Sequence, residues 1–244
     1  MNERVALITG GARGIGRALA IALAQRGWDV ALCYRTSERE AQEVVAQAQS
    51  HGARGRAERC DVSDSEAAQA WVKRVEEEWG RCDALINCAG PYHRVDYFQE
   101  TNEGWHEMFD NNLHPLFYLS RALAPGMQKR KWGRIINFSM ANAEQLLGQP
   151  NLTAHYIAKV GVLVLTRTLA KMLAPDGITV NCISPGFIAS GSAPMEELQK
   201  MAGKIPAGYI GAVEDAVATC CFLLSDEARY VNGANIHLSG AWGI

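Results

Sequence analysis

Residues 4 to 16 read Arg-Val-Ala-Leu-Ile-Thr-Gly-Gly-Ala-Arg-Gly-Ile-Gly, an aliphatic run that ends in glycines just before a segment rich in Ala and Leu. The run favours a strand buried on both faces of a parallel sheet, and the segment after it favours a helix. Gly10, Gly14 and Gly16 permit a tight turn and let a diphosphate approach the helix N-terminus. An ordinary turn is the alternative, because the spacing departs from the Gly-x-Gly-x-x-Gly fingerprint of dinucleotide sites.

Length and composition favour one α/β domain that spans residues 1–244, with a hydrophobic content of 48% for its core. The net charge of −2 predicts no general attraction to nucleic acid or to an anionic membrane surface. Seven cysteines without a Cys-x-x-Cys pair predict reduced thiols. No apolar run approaches the length of a membrane span and no signal peptide is expected, so we expect a cytoplasmic protein.

Short apolar runs alternate with longer helix-forming segments along the chain. The predicted strands are 5–8, 28–34, 56–60, 83–87, 134–139, 178–183 and 234–238. Residues 103–127 are predicted to form one long helix, and residues 187–209 are expected to be irregular. The alternation predicts a doubly wound, seven-stranded parallel sheet in a three-layer αβα sandwich, with ligands at the carboxyl ends of the strands.

Six blocks of sequence resemble the short-chain dehydrogenase/reductase family over nearly the whole chain, most closely its bacterial 3-oxoacyl-carrier-protein reductases. The blocks are Thr9-Gly-Gly-Ala-Arg-Gly-Ile-Gly16, Asp61-Val62, Asn87-Cys-Ala-Gly90, Asn112, Lys159 and Ile183-Ser-Pro-Gly-Phe-Ile188. The resemblance implies a Rossmann-type fold that binds NAD or NADP. It also implies an oxidoreductase that transfers a hydride between the nicotinamide and a carbonyl or alcohol substrate.

The end of the second predicted strand indicates which coenzyme binds. A carboxylate about 20 residues past the glycines would bind the ribose hydroxyls of NAD and repel a 2′-phosphate. The sequence reads Tyr34-Arg35-Thr36 there, without an acid. Arg35 and Arg13 of the glycine turn can instead bind the phosphate, because guanidinium groups pair well with it. We therefore predict NADP(H) as the cofactor.

Further coenzyme contacts follow from the resemblance alone. It implies that Asp61 and Val62 hold the adenine edge. It also implies that the Ile188 backbone bonds the nicotinamide carboxamide and that Ser190 touches the diphosphate. The other implied contacts are Gly10, Gly14, Ile15, Gly16, Tyr34, Asn87, Ala89, Gly90, Lys159, Pro185 and Gly186. Asn87 has a structural alternative, in which its amide only ties neighbouring strands together.

The catalytic positions depart from the family pattern. The family uses a tyrosine four residues before a lysine, so that both side chains point from one helix face into one site. In Ala-His155-Tyr156-Ile-Ala-Lys159, the residue four before the lysine is His155. The position of the family's catalytic serine holds Met140, and Ser139 precedes it.

Three interpretations of this departure stay open. In the first, His155 replaces the tyrosine as proton donor, since an ordinary imidazole pKa of about 6.5 suits acid chemistry. In the second, a local helix shift brings Tyr156 to the site. In the third, the chain binds NADP without efficient turnover. Asn112 matches the family's asparagine that holds a water beside the lysine. Asn111, one residue earlier, is the alternative for this position.

The leading hypothesis is an NADP(H)-dependent reductase of a carbonyl compound, with 3-oxoacyl thioesters among the candidates. An acyl carrier protein would dock on basic residues such as Lys129-Arg130-Lys131, although Asp176 stands where relatives often carry a basic residue. The alternative is a catalytically impaired sensor or regulatory protein that binds NADP. The resemblance also implies a homotetramer or homodimer, and the histidine spacing suggests no metal site.

Overall fold

The computed structural model describes residues 4–191 and 194–244, and seven of the strands there form one parallel sheet. The strands are β1 (Arg4–Thr9), β2 (Trp28–Tyr34), β3 (Gly55–Arg59), β4 (Ala84–Asn87), β5 (Gly133–Phe138), β6 (Ile178–Pro185), β7 (Ile188–Ala189), β8 (Gly211–Ala212) and β9 (Asn235–Leu238). The sheet order is β3-β2-β1-β4-β5-β6-β9, whereas β7 and β8 pair separately. The predicted doubly wound, seven-stranded Rossmann-type sheet is confirmed.

Helices cover both faces of this sheet. In the described ranges the α-helices are α1 (Gly14–Gln25), α2 (Glu38–Ser50), α3 (Ser65–Trp79), α4 (Asn102–Asn112), α5 (His114–Arg130), α6 (Thr153–Leu173), α7 (Met195–Ala202) and α8 (Val213–Leu224). Leu19 and Leu23 of α1 pack with Ile8 on one face. Trp71 of α3 and Leu123 of α5 lie in the core on the other face. The sheet is therefore the middle of three layers, because both of its faces are apolar.

The strand order reverses at β1, which lies between β2 and β4. Thr9, at the end of β1, uses its hydroxyl oxygen to accept hydrogen bonds from the backbone amides of Cys88 and Ala89, both at 3.0 Å. These bonds hold the segment after β4 against the end of β1. Ligand crevices in doubly wound sheets form outside the carboxyl ends at such a reversal.

The predicted helix over residues 103–127 is two helices, so that prediction is wrong. Helix α4 ends at Asn112, and Leu113 has the non-helical angles φ −120° and ψ −51°. Pro115 occupies the first turn of α5, where its missing N–H leaves no hydrogen bond unmade. At this end the Leu113 amide donates to the Phe109 carbonyl at 2.9 Å, which satisfies one of the last carbonyls of α4.

Residues 187–209 are more regular than predicted. They contain the short strand β7, which pairs Ile188 with Gly211 of β8, and helix α7, which buries Leu198. Ser192 and Ala193 in this stretch lie outside the described residues. The seven cysteines are free thiols, and most of them are buried. Nowhere in residues 4–191 and 194–244 is a helix both long and apolar enough to cross a membrane.

Candidate active site

The glycine turn between β1 and α1 is shaped to receive an anion. Gly10 and Gly14 have φ angles of 63° and 55°, which L-residues with side chains rarely adopt. A Cβ at Gly16 would collide with the Gly10 carbonyl oxygen. Arg13 precedes α1 without a side-chain cap, and the first turn of α1 carries no acid. The amides of this turn are therefore left for a negatively charged group, as at other phosphate-binding helix N-termini.

A cleft of about 640 Å³ opens above the strand reversal. It brings together twelve of the predicted coenzyme residues, namely Gly10, Arg13, Gly14, Ile15, Gly16, Tyr34, Arg35, Asp61, Val62, Ala89, Gly90 and Ser190. Sequence reasoning missed other lining residues, which are Ala12, Cys33, Thr36, Ser37, Cys60, Cys88, Pro91 and Gly191. Most of these adjoin predicted contacts in the chain, and that adjacency is the signal that would have found them. The volume, the glycine turn and the polar lining fit a dinucleotide.

Positive charge marks the end of this cleft next to β2. The side chains of Arg13 and Arg35 are both exposed and both line the cleft. Neither forms an ion pair with a carboxylate in the part of the chain that the structure describes. The two guanidinium groups are therefore available to a phosphate.

Five predicted coenzyme residues do not line this cleft, and one of them, Lys159, belongs to the buried centre described below. The Asn87 amide donates to Asn137 Oδ1 at 2.8 Å, which links β4 to β5 and gives Asn87 the structural role that was its alternative. Pro185 and Gly186 use their backbones at the end of β6, where Pro185 accepts a bond from Ala141 and Gly186 donates to Leu238, both at 2.9 Å. Ile188 is buried in β7. Their coenzyme contacts stay predictions.

A buried polar centre adjoins the cleft at Gly90. A Cβ on Gly90 would lie 2.5 Å from Asn112 Oδ1 and 3.3 Å from Lys159 Nζ, so both atoms face the same point. The Asn112 amide nitrogen donates to the carbonyls of Met108 and Pro91, at 2.9 and 3.2 Å. Its oxygen is buried without a hydrogen-bond partner. Such an oxygen is an acceptor left for a ligand or a water.

Lys159 supplies the positive charge of this centre. Its ammonium donates to the Phe138 carbonyl at 2.9 Å, and the side chain is held almost wholly out of solvent. Burial lowers the pKa of Lys159 to about 8, and the thiols of Cys182 and Cys88 act weakly in the opposite direction. Below pH 8 the lysine is therefore mostly charged, and above it mostly neutral.

His155 is buried beside Lys159, and its ring meets the edge of Tyr92 at a centroid distance of 5.2 Å. Burial lowers the pKa of His155 to about 3, and the charges of Lys159 and His93 add to this effect. A hydrogen bond to the Pro91 backbone opposes this shift, yet the imidazole is neutral near pH 7. Its buried Nδ1 has no hydrogen-bond partner within the part of the chain that the structure describes. Tyr92 was missed by sequence reasoning, although it directly follows the predicted segment after the fourth strand.

Comparisons with known proteins place this geometry in a family. A family model described as enoyl-(acyl carrier protein) reductase, one of the short-chain dehydrogenase/reductases, matches residues 10–241. The chain belongs to the short-chain dehydrogenase/reductase family. It is an oxidoreductase by family, and this family uses nicotinamide coenzymes.

Individual relatives agree with this membership. The 3-oxoacyl-[acyl-carrier-protein] reductase FabG of Staphylococcus aureus is 35% identical over 238 residues, which are 96% of this chain and 96% of that protein. A solved structure of a candidate short-chain alcohol dehydrogenase from Sinorhizobium meliloti matches with a TM-score of 0.91 and 32% identity, over 99% of this chain and 97% of that one. Acetoin dehydrogenase YohF of Salmonella typhimurium matches with a TM-score of 0.90 and 29% identity, over 98% and 95%.

As a short-chain dehydrogenase/reductase, the chain is unusual in where it places Tyr156. The Tyr156 hydroxyl donates to the Asn142 carbonyl at 2.7 Å and accepts from the Leu147 amide at 3.1 Å. Helix α6 runs regularly from Thr153 to Leu173, so no local shift turns the phenol toward Lys159. The structure therefore does not support the interpretation in which Tyr156 donates the proton.

Ser139 is likewise tied to the protein rather than presented to a substrate. Its hydroxyl donates to the Lys159 carbonyl at 2.7 Å, and the residue is buried. Met140, at the family's serine position, is partly buried and brings no hydroxyl. Asn111 lines the cleft, whereas Asn112 faces Lys159. Among the predicted catalytic residues, the structure brings His155, Lys159 and Asn112 together.

The basic cluster Lys129-Arg130-Lys131 lies at the edge of the sheet opposite this site. Lys129 and Arg130 end α5 and Lys131 follows it, just before β5, which places the cluster at the amino edge of the parallel sheet. Lys131 is paired there with Asp176, and Arg130 with Asp83. Parallel strands put their amino and carboxyl ends at opposite edges, so this cluster does not lie beside His155, and carrier-protein docking on it stays a prediction.

Proposed function

We propose that this chain is an NADPH-dependent reductase of a carbonyl compound. One arrangement carries the proposal: a cleft runs from Arg13 and Arg35, which pair with no carboxylate in the described ranges, to Gly90. The side chains of His155, Lys159 and Asn112 lie next to it. Names of relatives that describe reductases and dehydrogenases support a redox role and give no support to a regulatory protein.

Coenzyme binding is divided between backbone and side chains. The amides at the start of α1 receive the diphosphate, because the glycine turn leaves room for it and the helix dipole favours negative charge. Arg13 and Arg35 receive the 2′-phosphate that distinguishes NADP from NAD. Val62, buried at the cleft wall, contacts the adenine. The preference for NADPH follows from charge at one end of the cleft.

The chemistry depends on a neutral imidazole next to an ammonium. When bound, the reduced nicotinamide supplies the hydride. His155 then donates its N–H to the carbonyl oxygen as negative charge develops there. Lys159 stabilises the ring after proton release, because its positive charge lies in the same poorly solvated site. Asn112 orients the site through its unpartnered oxygen.

The proposed substrate class is a ketone, with 3-oxoacyl thioesters as the first candidates. The name of the Staphylococcus aureus relative describes action on 3-oxoacyl groups of an acyl carrier protein. Assembly as a homotetramer or homodimer is a further prediction, and sedimentation at the monomer mass of 26.6 kDa would contradict it.

Coenzyme titration and a substrate panel test the proposal together. Fluorescence titration should give a lower Kd for NADPH than for NADH. NADPH oxidation should accelerate with at least one compound from a panel of 3-oxoacyl thioesters, 3-oxo esters and simple ketones. Equal Kd values for NADPH and NADH would contradict the proposal that Arg13 and Arg35 bind the 2′-phosphate. Tight NADPH binding without turnover of any compound in the panel would contradict the reductase and favour a sensor or regulatory protein that binds NADP.

A further inference from the structure

The Tyr156 side chain has a clear structural task. Its hydroxyl contacts both ends of the turn Asn142–Leu147, donating to the Asn142 carbonyl at 2.7 Å and accepting from the Leu147 amide at 3.1 Å. The Tyr156 ring is buried, so these bonds form where water does not compete well. A phenylalanine here would remove one of the two donors to the Asn142 carbonyl, leaving the Gln145 amide at 3.0 Å, and would take the acceptor from the Leu147 amide.

This turn needs to be held, because its backbone is strained at two residues. Asn142 and Leu146 have φ angles of 64° and 52°, in the left-handed region. Asn tolerates that region, whereas a leucine adopts it only when surrounding contacts enforce it. Both strained residues lie within the stretch that the Tyr156 hydroxyl closes. We call this pair of hydrogen bonds the phenol clasp.

A second set of contacts fixes the middle of the turn. The Glu144 carboxylate binds Arg167 of α6 and approaches His237 Nε2 of β9 at 2.9 Å. The turn is therefore attached to a helix and to a strand, in addition to the phenol clasp. Loops held this firmly usually present side chains for a purpose.

The side chains that this turn presents are apolar and exposed. Leu146 is 72% exposed and Leu147 is 50% exposed. The loop after β4 is bonded to the chain between this turn and α6, because the Val95 amide donates to the Asn151 carbonyl at 3.1 Å. That loop carries Tyr92, which is 59% exposed although its ring packs against His155. We name Tyr92, Leu146 and Leu147 the apolar rim.

We propose that Tyr156 is a positioning residue that holds the apolar rim, and that the rim binds an apolar substituent of the ketone. The inference rests on the proposed function and adds the substrate class, a ketone with an aryl or longer alkyl group. Contact of Tyr92 with His155 supports this occupant, because it joins the rim to the group that would protonate the carbonyl. Burying exposed apolar side chains on such a substituent favours its binding.

The first test compares Tyr156→Phe with Tyr230→Phe, a matched control whose tyrosine is 98% exposed. The probes are ethyl 3-oxobutanoate and its phenyl counterpart, ethyl 3-oxo-3-phenylpropanoate. In Tyr156→Phe we expect the KM of the phenyl ketone to rise about tenfold, with kcat changed less than about twofold. The methyl ketone with Tyr156→Phe, and both ketones with the control variant, should show neither change.

A second variant removes the rim without opening the turn. Leu146→Asn places a residue that tolerates positive φ in the same backbone. It should raise the KM of the phenyl ketone about fivefold and leave that of the methyl ketone unchanged. Should the rim instead cover a second copy of the chain, Leu146→Asn would change the sedimentation coefficient and not KM, and the inference would be overturned.

Hydrogen exchange reads the phenol clasp independently of turnover. Peptides covering residues 142–152 should exchange faster in Tyr156→Phe than in the wild type and in Tyr230→Phe. A fall in kcat of more than about a hundredfold with both esters would make Tyr156 the proton donor and overturn the inference, while leaving the proposed reductase intact. Wild-type protein that binds NADPH but turns over no ketone would overturn the proposed function itself.

Discussion

The amino and carboxyl edges of the central sheet differ in whether their charged side chains have partners in the protein. At the amino edge, the buried carboxylate of Asp83 accepts two hydrogen bonds from Arg81, at 2.8 and 2.9 Å, and one from the Val5 amide at 2.9 Å. At the carboxyl edge, Arg13 and Arg35 line the cleft without a carboxylate partner among the described residues. The charged side chains at the amino edge therefore bind one another, whereas the two arginines at the carboxyl edge are available to a ligand.

The amino edge also contains an aromatic ring between two cations. The guanidinium groups of Arg4 and Arg134 each lie 4.3 Å from the Trp132 ring centroid. Asp226 binds both arginines and accepts from the Trp132 indole at 3.1 Å. Burial lowers the pKa of Arg134, and the nearby Asp226 carboxylate opposes that shift. These contacts serve stability, because each charge has a partner in the protein itself.

The contrast indicates where the fold gives up stability for function. Buried polar atoms without partners lower stability, since their lost hydration is not replaced. His155 Nδ1 and Asn112 Oδ1 are two such atoms at the carboxyl edge. Arg130 Nε and Arg134 Nε at the amino edge also have no hydrogen bond, but their guanidinium groups form ion pairs with Asp83 and Asp226. Groups left unsatisfied in this way can bind substrate, coenzyme or water. A substitution at the carboxyl edge should therefore lower activity or coenzyme affinity, and one at the amino edge should lower stability.

Replacing His155→Phe should have the largest effect. We expect kcat/KM for a carbonyl substrate to fall about a thousandfold, because the proton donor is lost. The free energy of unfolding, from denaturant titration, should stay equal or rise, since a buried unpartnered nitrogen is removed. Tyr156→Phe, next to it on α6, is the control and should keep its kcat. Loss of stability together with preserved activity would reverse the assignment.

The substitution Asp83→Ala should lower stability and leave coenzyme binding unchanged. We expect the free energy of unfolding to fall by about 3 kcal/mol, because two arginines and the Val5 amide lose their partner. Coenzyme affinity of the remaining folded protein should not change. Asp110→Ala, which removes an exposed pair with His114, is the control, with a loss of about 0.5 kcal/mol. An equal loss of unfolding free energy in Asp83→Ala and Asp110→Ala would show that the buried pairs at the amino edge contribute no more to stability than an exposed pair.

Replacing Arg35→Ser should act on the coenzyme alone. We expect the Kd for NADPH to rise about thirtyfold, in line with one lost charge-assisted contact of about 2 kcal/mol, while the Kd for NADH stays the same. Arg39→Ser removes an equal charge from α2, where the arginine is exposed near Glu40, and should leave both constants unchanged. A uniform rise for NADPH and NADH would place Arg35 away from the 2′-phosphate.

The pH dependence of kcat/KM should show the smallest effect. The pKa of His155 is lowered to about 3 and that of Lys159 to about 8, so the rate should be flat from pH 5 to 7. It should fall up to about tenfold per pH unit above 8, as the ammonium is lost. Lys159→Arg should move this alkaline fall upward, because a guanidinium stays charged. A steep fall already between pH 4 and 7 would instead identify the imidazolium as the acid.

Several features were predictable because they depend on local chain geometry. The glycine turn follows from Gly10 and Gly14, whose positive φ angles only glycine adopts readily. The position of His155 one helical turn before Lys159 follows from counting along α6. By the same logic the break between α4 and α5 could have been expected from Pro115, yet the continuous apolar pattern concealed it.

Other features depend on partners that are distant in the sequence. Asn87 was ambiguous until Asn137, fifty residues later in the chain, was seen to accept its amide hydrogen bond. Tyr156 was a candidate proton donor until the Asn142–Leu147 turn was seen to bind its hydroxyl. No periodicity reports such pairings, because they are set by how helices and loops pack on the sheet.

The sequence by itself determined the alternating fold, the arginine in place of an acid after β2, and the histidine in register with Lys159. Each of these is a matter of residue type and spacing along one element. Only the tertiary structure decided that Tyr156 holds a loop, that Lys129-Arg130-Lys131 lies at the opposite edge, and that His155 is buried and neutral. Burial and partner choice are properties of the packed molecule, since they depend on which solvent and which charges the surrounding elements exclude or supply.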